Sequence, residues 1–447
     1  MSLFRPTVFT KSENCPSEVP PTAGRRGTLS SEPPLSATLH EAIMDSVSSV
    51  RDSLPKEHRT HFETLRQEII DFAQAHGIPR ESLAKPDALR EAASKLSTPD
   101  LTQLATLLER FEYLLKNKEP REKIPEVLEY AQEFYHLKEQ YRSQVALLEQ
   151  VGILKDEAIL GIDGNKYLIP TLEQIAIRLF ERREELSAKH DQGFTKLLLV
   201  PFGMSLDSLR ETLKQFLLKY NKDHPSFDLD TNKSLWTWEE GYKGADIGDS
   251  PKLVYHPQSF TKEGHGGKTK MEILEGQETP GQAHGDDGRT GDNGWRGWTV
   301  HLLQPSDPSD LHSPGFASIP RRGQGTLQGD ENPRFPLEAN KTPNEYLSIL
   351  KKAQDNPNHP YSQESGMTPE DWIIAFITHL TEMGKPLDDS LNLINTECYC
   401  QLIGAFFHFS AFVPGACWSR DSRQAGLYWN GPRVRCDSAG ARSSVMI

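Results

Sequence analysis

Hydrophobic residues recur at intervals of three and four along most of residues 36–222. The side chains of Phe62, Leu65 and Ile69, for example, would share one face of an α-helix. Gly77 would end this helix, because glycine readily adopts the left-handed conformation that follows many helix C-termini. The pattern predicts a helical region over residues 36–222.

The same spacing continues in four further segments, at 97–117, 124–154, 167–190 and 204–225. Such apolar stripes suit a helical bundle or an oligomerising coiled coil, so a homo-oligomer formed through this region is one expectation. An antiparallel bundle is favoured, because the heptad pattern is not sustained. The short apolar run at 196–203 is left open as a buried strand, an interdomain plug or a turn between helices.

The chain changes character after about residue 223, where it becomes rich in glycine, aromatic residues and turn signals. Strands are predicted at 252–257, 270–274, 298–303 and 398–412, and helices at 342–355 and 368–385. The second of these helices has a start signal at Thr368 and a stop signal at Gly384. The predicted fold class is α+β, with a loop-rich mixed domain at 223–447 after the helical region.

Composition and net charge add a leader segment to this division and narrow the possible partners and location of the protein. Residues 1–35 are rich in Pro, Ser and Thr without periodicity, and we predict a disordered leader there. The 447-residue chain has a formal net charge of -13, so a nucleic-acid partner is not expected. Neither a signal-peptide core nor an apolar run long enough for a membrane span is found, so a cytoplasmic protein without a membrane segment is expected.

The cysteines give one candidate chemistry. Cys398 and Cys400 alternate, so in a strand they would share a face. Together with Cys417, Cys436 or His408 they could complete a metal site, or supply a thiol nucleophile with a nearby base. A cysteine- or metal-dependent enzyme is therefore an alternative hypothesis, although buried thiols more often serve as small hydrophobic residues. We therefore predict no cofactor and assign no residue a catalytic role.

Three other motifs are weak. The segment 263–270 ends like a phosphate-binding loop, but position 262 is lysine where that motif requires glycine. The segment 285–294 offers oxygen ligands for calcium without the spacing of an EF-hand. His379 and Glu382 lie one helical turn apart, but the second histidine of a zinc motif is missing.

The end of the chain has the composition of a contact surface. From 411 to 447 there is no lysine and no glutamate, whereas five arginines outnumber two aspartates. Tyr, Trp and Arg provide rigid contact area, and Ser, Gly and Asn provide adaptable hydrogen bonds, as in antibody combining sites. The sequence therefore favours a binding surface near residues 410–447.

The segments "PGACWSRDSRQAGLYWNGP" and "GARSSVMI" resemble the carboxyl end of the variable proteins of diversity-generating retroelements. The upstream segments "GWTVHLLQ", "IPRRGQGTL" and "TPEDWIIAFITHLTEMGKPLDD" resemble a bacterial or phage-like subgroup of them. The resemblance covers about residues 225–447. It implies a C-type-lectin-like fold of the formylglycine-generating-enzyme type, with positions diversified by adenine-directed reverse transcription between fixed framework residues.

The resemblance assigns two sets of residues. The framework set is Trp418, Leu427, Gly440, Ala441, Arg442 and Val445. The variable, ligand-facing set is Cys417, Ser419, Ser422, Gly426, Tyr428, Trp429, Asn430, Arg433, Arg435, Cys436 and Ser438. Most of the second set fits adenine mutagenesis of Asn codons, which yields Asn, Tyr, Ser, Gly, Arg or Cys. Trp429 does not fit, so it is either framework or differently templated.

The resemblance thus implies a non-catalytic protein that binds a protein or other macromolecular ligand of variable identity. Two alternatives remain at this stage. One is the enzyme that uses Cys398, Cys400 and His408. The other is a structural adaptor that uses its helices alone.

Overall fold

The structure is a computed structural model in which the chain divides into two compact units, residues 1–123 and 124–447. The described residues are 51, 54–79, 96, 104, 107, 108, 110, 111, 114, 115, 125–277, 295–354, 356–389 and 398–447. The predicted leader at 1–35 and the calcium-like segment at 285–294 lie outside the described residues.

The first unit contains helix α1 (Arg59–Ala75), which confirms the prediction from periodicity. The buried face of α1 includes Phe62, and its ring stacks on Phe111 with a centroid distance of 5.2 Å. Gly77 follows the helix at a φ of 64°, as a glycine stop signal requires. The described residues between 104 and 115 are helical, and the leucines and Phe111 among them join the same hydrophobic cluster.

The second unit combines helices and strands, so its fold class is α+β. Its helices are α2 (Pro125–Tyr135), α3 (Leu137–Gln150), α4 (Leu172–Glu181), α5 (Arg183–Asp191), α6 (Leu206–Asp223), α7 (Glu239–Tyr242), α8 (Lys270–Gly276), α9 (Pro343–Gln354) and α10 (Pro369–Met383). Thr368 and Asp371 form a capping box at the start of α10, and Gly384 ends it at a φ of 66°. The predictions for α9 and α10 are confirmed.

The strands are β1 (Ala158–Leu160), β2 (Lys166–Leu168), β3 (Lys196–Val200), β4 (Leu235–Thr237), β5 (Leu253–Tyr255), β6 (Thr299–Leu303), β7 (Glu364–Gly366), β8 (Tyr399–Gln401), β9 (Ala405–Phe407), β10 (Val413–Ser419), β11 (Gln424–Asn430), β12 (Ala439–Ala441) and β13 (Ser443–Met446). The prediction of a strand at 270–274 was wrong. A capping box between Thr269 and Glu272 starts α8 there instead.

A four-stranded antiparallel sheet in the order β3-β6-β13-β7 lies at the centre of the second unit. The apolar run that the sequence left open is β3, and all five of its residues are buried. Because β3 pairs with β6 along its whole length, the segment 124–222 belongs to the same unit as the segment after 223. The unit boundary therefore falls at 123/124, since a long-range strand pairing overrides a boundary drawn from local periodicity.

A five-stranded sheet in the order β12-β8-β10-β11-β4 contains most of the carboxyl end of the chain. The centre of this sheet is the antiparallel hairpin of β10 and β11, to which β8 adds antiparallel and β4 adds parallel. Two short pairs, β1 with β2 and β5 with β9, complete the sheets of the described residues. The hairpin thus brings the terminal segment beside strands that lie far away in sequence.

Candidate ligand-binding surface

The hairpin of β10 and β11 has two chemically different faces. On one face, Ala416 pairs with Leu427 and Trp418 pairs with Ala425, and all four side chains are buried. On the other face, Cys417 pairs with Gly426, because successive side chains along each strand point to opposite faces of the sheet. We call the second face the outer face; it comprises Trp236, Tyr399, Cys417, Ser419, Gln424, Gly426, Tyr428 and Asn430.

Packing fixes the inner face. The Trp418 side chain is only 3% exposed, and its ring centroid lies 5.0 Å from that of Phe227 and 6.2 Å from that of Phe376. Leu427 is fully buried in the main hydrophobic core. Two aromatic contacts and a buried leucine therefore hold the hairpin in place from behind.

A buried carboxylate joins the hairpin to the last strands. Asp388 Oδ1 accepts a hydrogen bond from Arg442 Nη2 at 2.7 Å, and Asp388 Oδ2 accepts one from Trp372 Nε1 at 2.9 Å. The backbone carbonyl of Asp388 accepts the Trp418 N–H at 3.1 Å. Arg442 also donates to the carbonyl of Ala317. Asp388 therefore connects α10 and the segment before β13 through its carboxylate, and the hairpin through its backbone carbonyl.

The remaining framework positions are equally constrained. A Cβ at Gly440 would lie 2.2 Å from Ile319 Cγ2, so this position has no room for a side chain. Ala441 and Val445 are buried, and Val445 pairs with Leu302 of β6 in the central sheet. All six residues that the resemblance assigned to the framework are buried.

The centre of the outer face consists of two tyrosines. The Tyr428 ring covers Gly415 of β10 and meets the Tyr399 ring edge to face, at a centroid distance of 5.2 Å. Burial raises the pKa of Tyr399, and the neighbouring Cys436 thiol raises it further. Burial raises the pKa of Tyr428 as well, so both phenols are neutral hydrogen-bonding groups at ordinary pH.

The β4 edge of the outer face has a large exposed ring and an open position beside it. Trp236 pairs with Gly426, and its side chain is 36% exposed. A Cβ at Gly426 would meet only Cys417 atoms, the nearest at an ordinary contact distance of 3.7 Å. Position 426 can therefore accept side chains that Gly440 cannot.

The terminal loop, residues 431–438, extends the outer face. Arg433 is exposed, while Arg435 donates to Glu345 Oε1 at 2.6 Å and to the Asn340 carbonyl at 2.8 Å. Burial opposes ionisation of the Cys436 thiol, but hydrogen bonds with Ser438 and Tyr399 outweigh this effect and lower its pKa. The loop thus presents a cation and a partly exposed thiol next to the two tyrosines.

Two residues of the variable set lie elsewhere. Ser422 is in the exposed turn between β10 and β11, where its N–H donates to Ser419 Oγ at 3.3 Å. Trp429 points away from the outer face, because the alternation that turns Tyr428 outward turns its neighbour the other way. Its ring stacks on Phe412 at a centroid distance of 4.1 Å and contacts Trp238 at 5.5 Å. Trp429 therefore lies apart from the outer face, in an aromatic cluster.

The alternative thiol site is not assembled. Cys398 and Cys400 are buried, and burial raises the pKa of Cys400 far above its ordinary value. His408 donates through Nε2 to the carbonyl of Pro251 at 2.9 Å rather than facing a thiol. Within the described ranges, no group of three His, Cys, Asp or Glu side chains has the arrangement of a metal site.

The phosphate-loop-like segment has a structural role. The Lys268 backbone forms paired hydrogen bonds with Tyr255, at 3.0 and 2.8 Å. The next residue but one, Lys270, is fully buried between Asp246 at 2.5 Å and Glu370 at 2.8 Å. Burial alone would lower the pKa of Lys270, but these two carboxylates outweigh it and raise the pKa.

Sequence reasoning missed three residues of the outer face, Trp236, Tyr399 and Gln424. Gln424 shares the face of Gly426 and Tyr428 through the alternation along β11. The signal for Tyr399 was present, because the alternation that puts Cys398 and Cys400 on the core side puts the tyrosine between them on the opposite side. No local signal places Trp236 beside Gly426, since that pairing joins strands almost 200 residues apart.

Comparisons with known proteins add no relative: the chain matches no family model, no curated protein and no solved structure. None of the helices in the described part of the chain is both long enough and apolar enough to cross a membrane.

Proposed function

We propose that residues 124–447 form a C-type-lectin-like ligand-binding domain, and that the outer face and the terminal loop are its binding site. The protein binds a macromolecular ligand without chemical turnover, and the identity of the ligand changes as the exposed side chains are diversified. This is the function implied by the resemblance to the variable proteins of diversity-generating retroelements.

The observation that carries the proposal is that the framework residues and most of the variable residues of the hairpin lie on opposite faces. The framework residues Trp418 and Leu427 are buried on the inner face, whereas Cys417, Gly426 and Tyr428 lie on the outer face. Substitution of the partly exposed side chains of the outer face, such as Cys417, Ser419 and Asn430, changes the chemistry offered to a ligand while Trp418 and Leu427 keep their packing. A surface that must vary while the fold stays constant needs this separation.

A pair of libraries tests the proposal. One library randomises Ser419, Gly426, Tyr428 and Asn430 on the outer face, and the matched library randomises Ala416, Ala425 and Leu427 on the inner face. We expect most outer-face variants to retain cooperative unfolding and to yield binders against an immobilised protein such as lysozyme. Equal loss of folding in the two libraries, or binders from neither, would contradict the proposal.

The DNA around the gene provides an independent test. We expect a near copy of the DNA that encodes residues 410–447, differing almost only where the repeat has adenines, together with a reverse-transcriptase gene. If sequencing several kilobases on either side finds no repeat, the outer face is a fixed surface and the diversification part of the proposal is wrong.

A further inference from the structure

A pocket of about 420 Å³ adjoins the terminal loop and is not part of the outer face. It lies between helix α9 and the chain around residues 338–341, and Arg435 of the terminal loop forms one side. Three further cations, Arg322, Lys341 and Lys352, also line it. The pocket therefore concentrates positive charge in a chain whose formal net charge is -13.

The two acidic residues of the pocket are already engaged. Glu338 accepts the backbone N–H groups of Gly323 at 2.9 Å and Gly325 at 2.8 Å. Glu345 Oε2 accepts the Thr342 N–H at 2.7 Å, a bond that lowers the pKa of this carboxyl. Both carboxylates thus hold backbone, and Glu345 also binds Arg435, so they offset two of the four positive charges of the pocket.

Three of the four cations are free to bind an anionic ligand, because they have no carboxylate partner among the described residues. Arg322 and Lys352 are exposed, and neither forms an ion pair within the part of the chain that the structure describes. The Lys341 ammonium group lies 5.8 Å from the centroid of the Tyr346 ring, without a carboxylate partner among the described residues. Arg435 is the exception, because it binds Glu345 at 2.6 Å.

We infer that this pocket binds an acidic side chain of a protein ligand held on the outer face and the terminal loop. The inference rests on the proposed function and adds to it a chemical class of partner: a peptide segment rich in Asp or Glu. Arg322, Lys341 and Lys352 lie outside residues 410–447, so the diversification proposed for that segment would leave them unchanged. A constant basic pocket beside a variable surface would give all variants of the protein the same preference for acidic segments.

The geometry favours an acidic peptide over a nucleic acid. A phosphate backbone is recognised by an extended basic track, and the strength of such binding grows with the number of phosphates contacted. Here the cations converge on one pocket of limited volume, and two carboxylates share its wall. One or two carboxylate groups fit such a pocket, whereas a continuous phosphate chain needs a longer row of cations than this pocket has.

The test measures binding of a fluorescein-labelled hexaglutamate peptide by fluorescence anisotropy at low ionic strength. The test variant is Arg322→Glu with Lys352→Glu. The matched control is Lys219→Glu with Lys262→Glu, which makes the same change in net charge at exposed positions away from the pocket lining. We expect the test variant to bind the peptide about tenfold more weakly than the wild type and the control to bind it as the wild type does. The variant Arg322→Gln with Lys352→Gln removes the two charges without reversing them, so its affinity for hexaglutamate should lie between those of the test and control variants. A graded loss of this kind distinguishes lost charge from lost folding.

Equal weakening in the test and control variants would overturn the inference, because the general field of the protein would then be responsible. Tighter binding of an oligothymidine than of hexaglutamate would overturn it in favour of a nucleic acid. A lysozyme-binding clone selected from the outer-face library should lose lysozyme binding but keep hexaglutamate binding when its residues at positions 428 and 430 are both replaced by alanine. If the alanine-substituted clone loses lysozyme binding, but the variant Arg322→Glu with Lys352→Glu binds hexaglutamate as tightly as the wild type, the pocket inference fails and the proposed function stands.

Discussion

Arg442 donates a hydrogen bond to Asp388 across 2.7 Å, and the side chains of both residues are almost completely buried. Asp388 also accepts the indole N–H of Trp372, and its backbone carbonyl accepts the N–H of Trp418. The pair therefore fixes the position of the hairpin from behind, opposite the outer face, on which Cys417, Ser419 and Asn430 are partly exposed. The diversified binding surface that we propose would need a rigid support of this kind.

Removal of the Arg442 guanidinium should destabilise the second unit strongly. Arg442→Ala leaves the Asp388 carboxylate buried without its cation, which costs about 3 kcal/mol of the free energy of unfolding. The control is Arg423→Ala, which removes an exposed pair with Asp228 at 3.2 Å and should change stability by less than about 0.5 kcal/mol. Urea unfolding measures both values, and equal effects would show that the Arg442 pair does not support the fold.

Two glycines of the same sheet should respond differently to alanine. At Gly440 a Cβ would lie 2.2 Å from Ile319, so Gly440→Ala should cost about 2 kcal/mol through overpacking. At Gly426 the nearest atom is 3.7 Å away, so Gly426→Ala should leave the midpoint of thermal unfolding unchanged or slightly raised. A large loss of stability at Gly426 would mean that this position is framework rather than open.

His379 should make the stability of the protein depend on pH. Its Nδ1 accepts the Phe316 N–H at 2.9 Å, and burial together with nearby Arg442 and Lys196 lowers its pKa from 6.5 to about 3. A histidine with a lowered pKa in the folded state stabilises the protein fully above its unfolded pKa, and this contribution is lost as the pH falls.

The comparison that isolates His379 is with His379→Asn, which keeps an acceptor for Phe316 but does not titrate. Between about pH 7 and pH 5, the wild type should lose about 2 kcal/mol more of its free energy of unfolding than the variant. Asp371, whose pKa is raised to about 6 by burial, acts in the opposite direction in both proteins and cancels. His224→Asn, at an exposed position, is the control; parallel pH profiles for wild type and His379→Asn would refute the assignment.

The cysteines should separate by their reactivity. In a Cys15→Ser background, iodoacetamide should alkylate Cys436 first, because its pKa is lowered and its side chain is partly exposed. Cys398 and Cys400 are buried and should react only after unfolding. Peptide mass spectrometry of timed samples measures the order, with Cys436→Ser as the control. Rapid alkylation of Cys400 in the folded protein would revive the thiol-enzyme alternative.

Much of the local structure follows from the sequence. The three- and four-residue spacing of apolar residues gave α1, and the signals at Thr368 and Gly384 gave both ends of α10. The error at 270–274 has a physical cause: a five-residue segment with only three apolar residues fits a strand or a helix, and the capping box at Thr269 decided for the helix. The single apolar run at 124–154 forms two helices, because His136 adopts a left-handed conformation between them.

The sequence predicted most of the residues of the candidate site, but only part of how they are arranged in space. Alternation along β11 separates Leu427 from Tyr428 without any tertiary information, and it also turns Trp429 away from the outer face. The unit boundary could not be found in this way, because the apolar character of β3 shows that it is buried and not that β6 is its partner.

The sequence by itself determined which side chains of the terminal hairpin share a face, because side chains alternate along a strand with a period of two residues. Only the tertiary structure placed Trp236 and Tyr399 beside the hairpin, tied Arg442 to Asp388 and brought the basic pocket next to Arg435. These contacts join residues far apart in the chain. Their partners are chosen by packing and by the burial of charge over the whole unit, which no local pattern records.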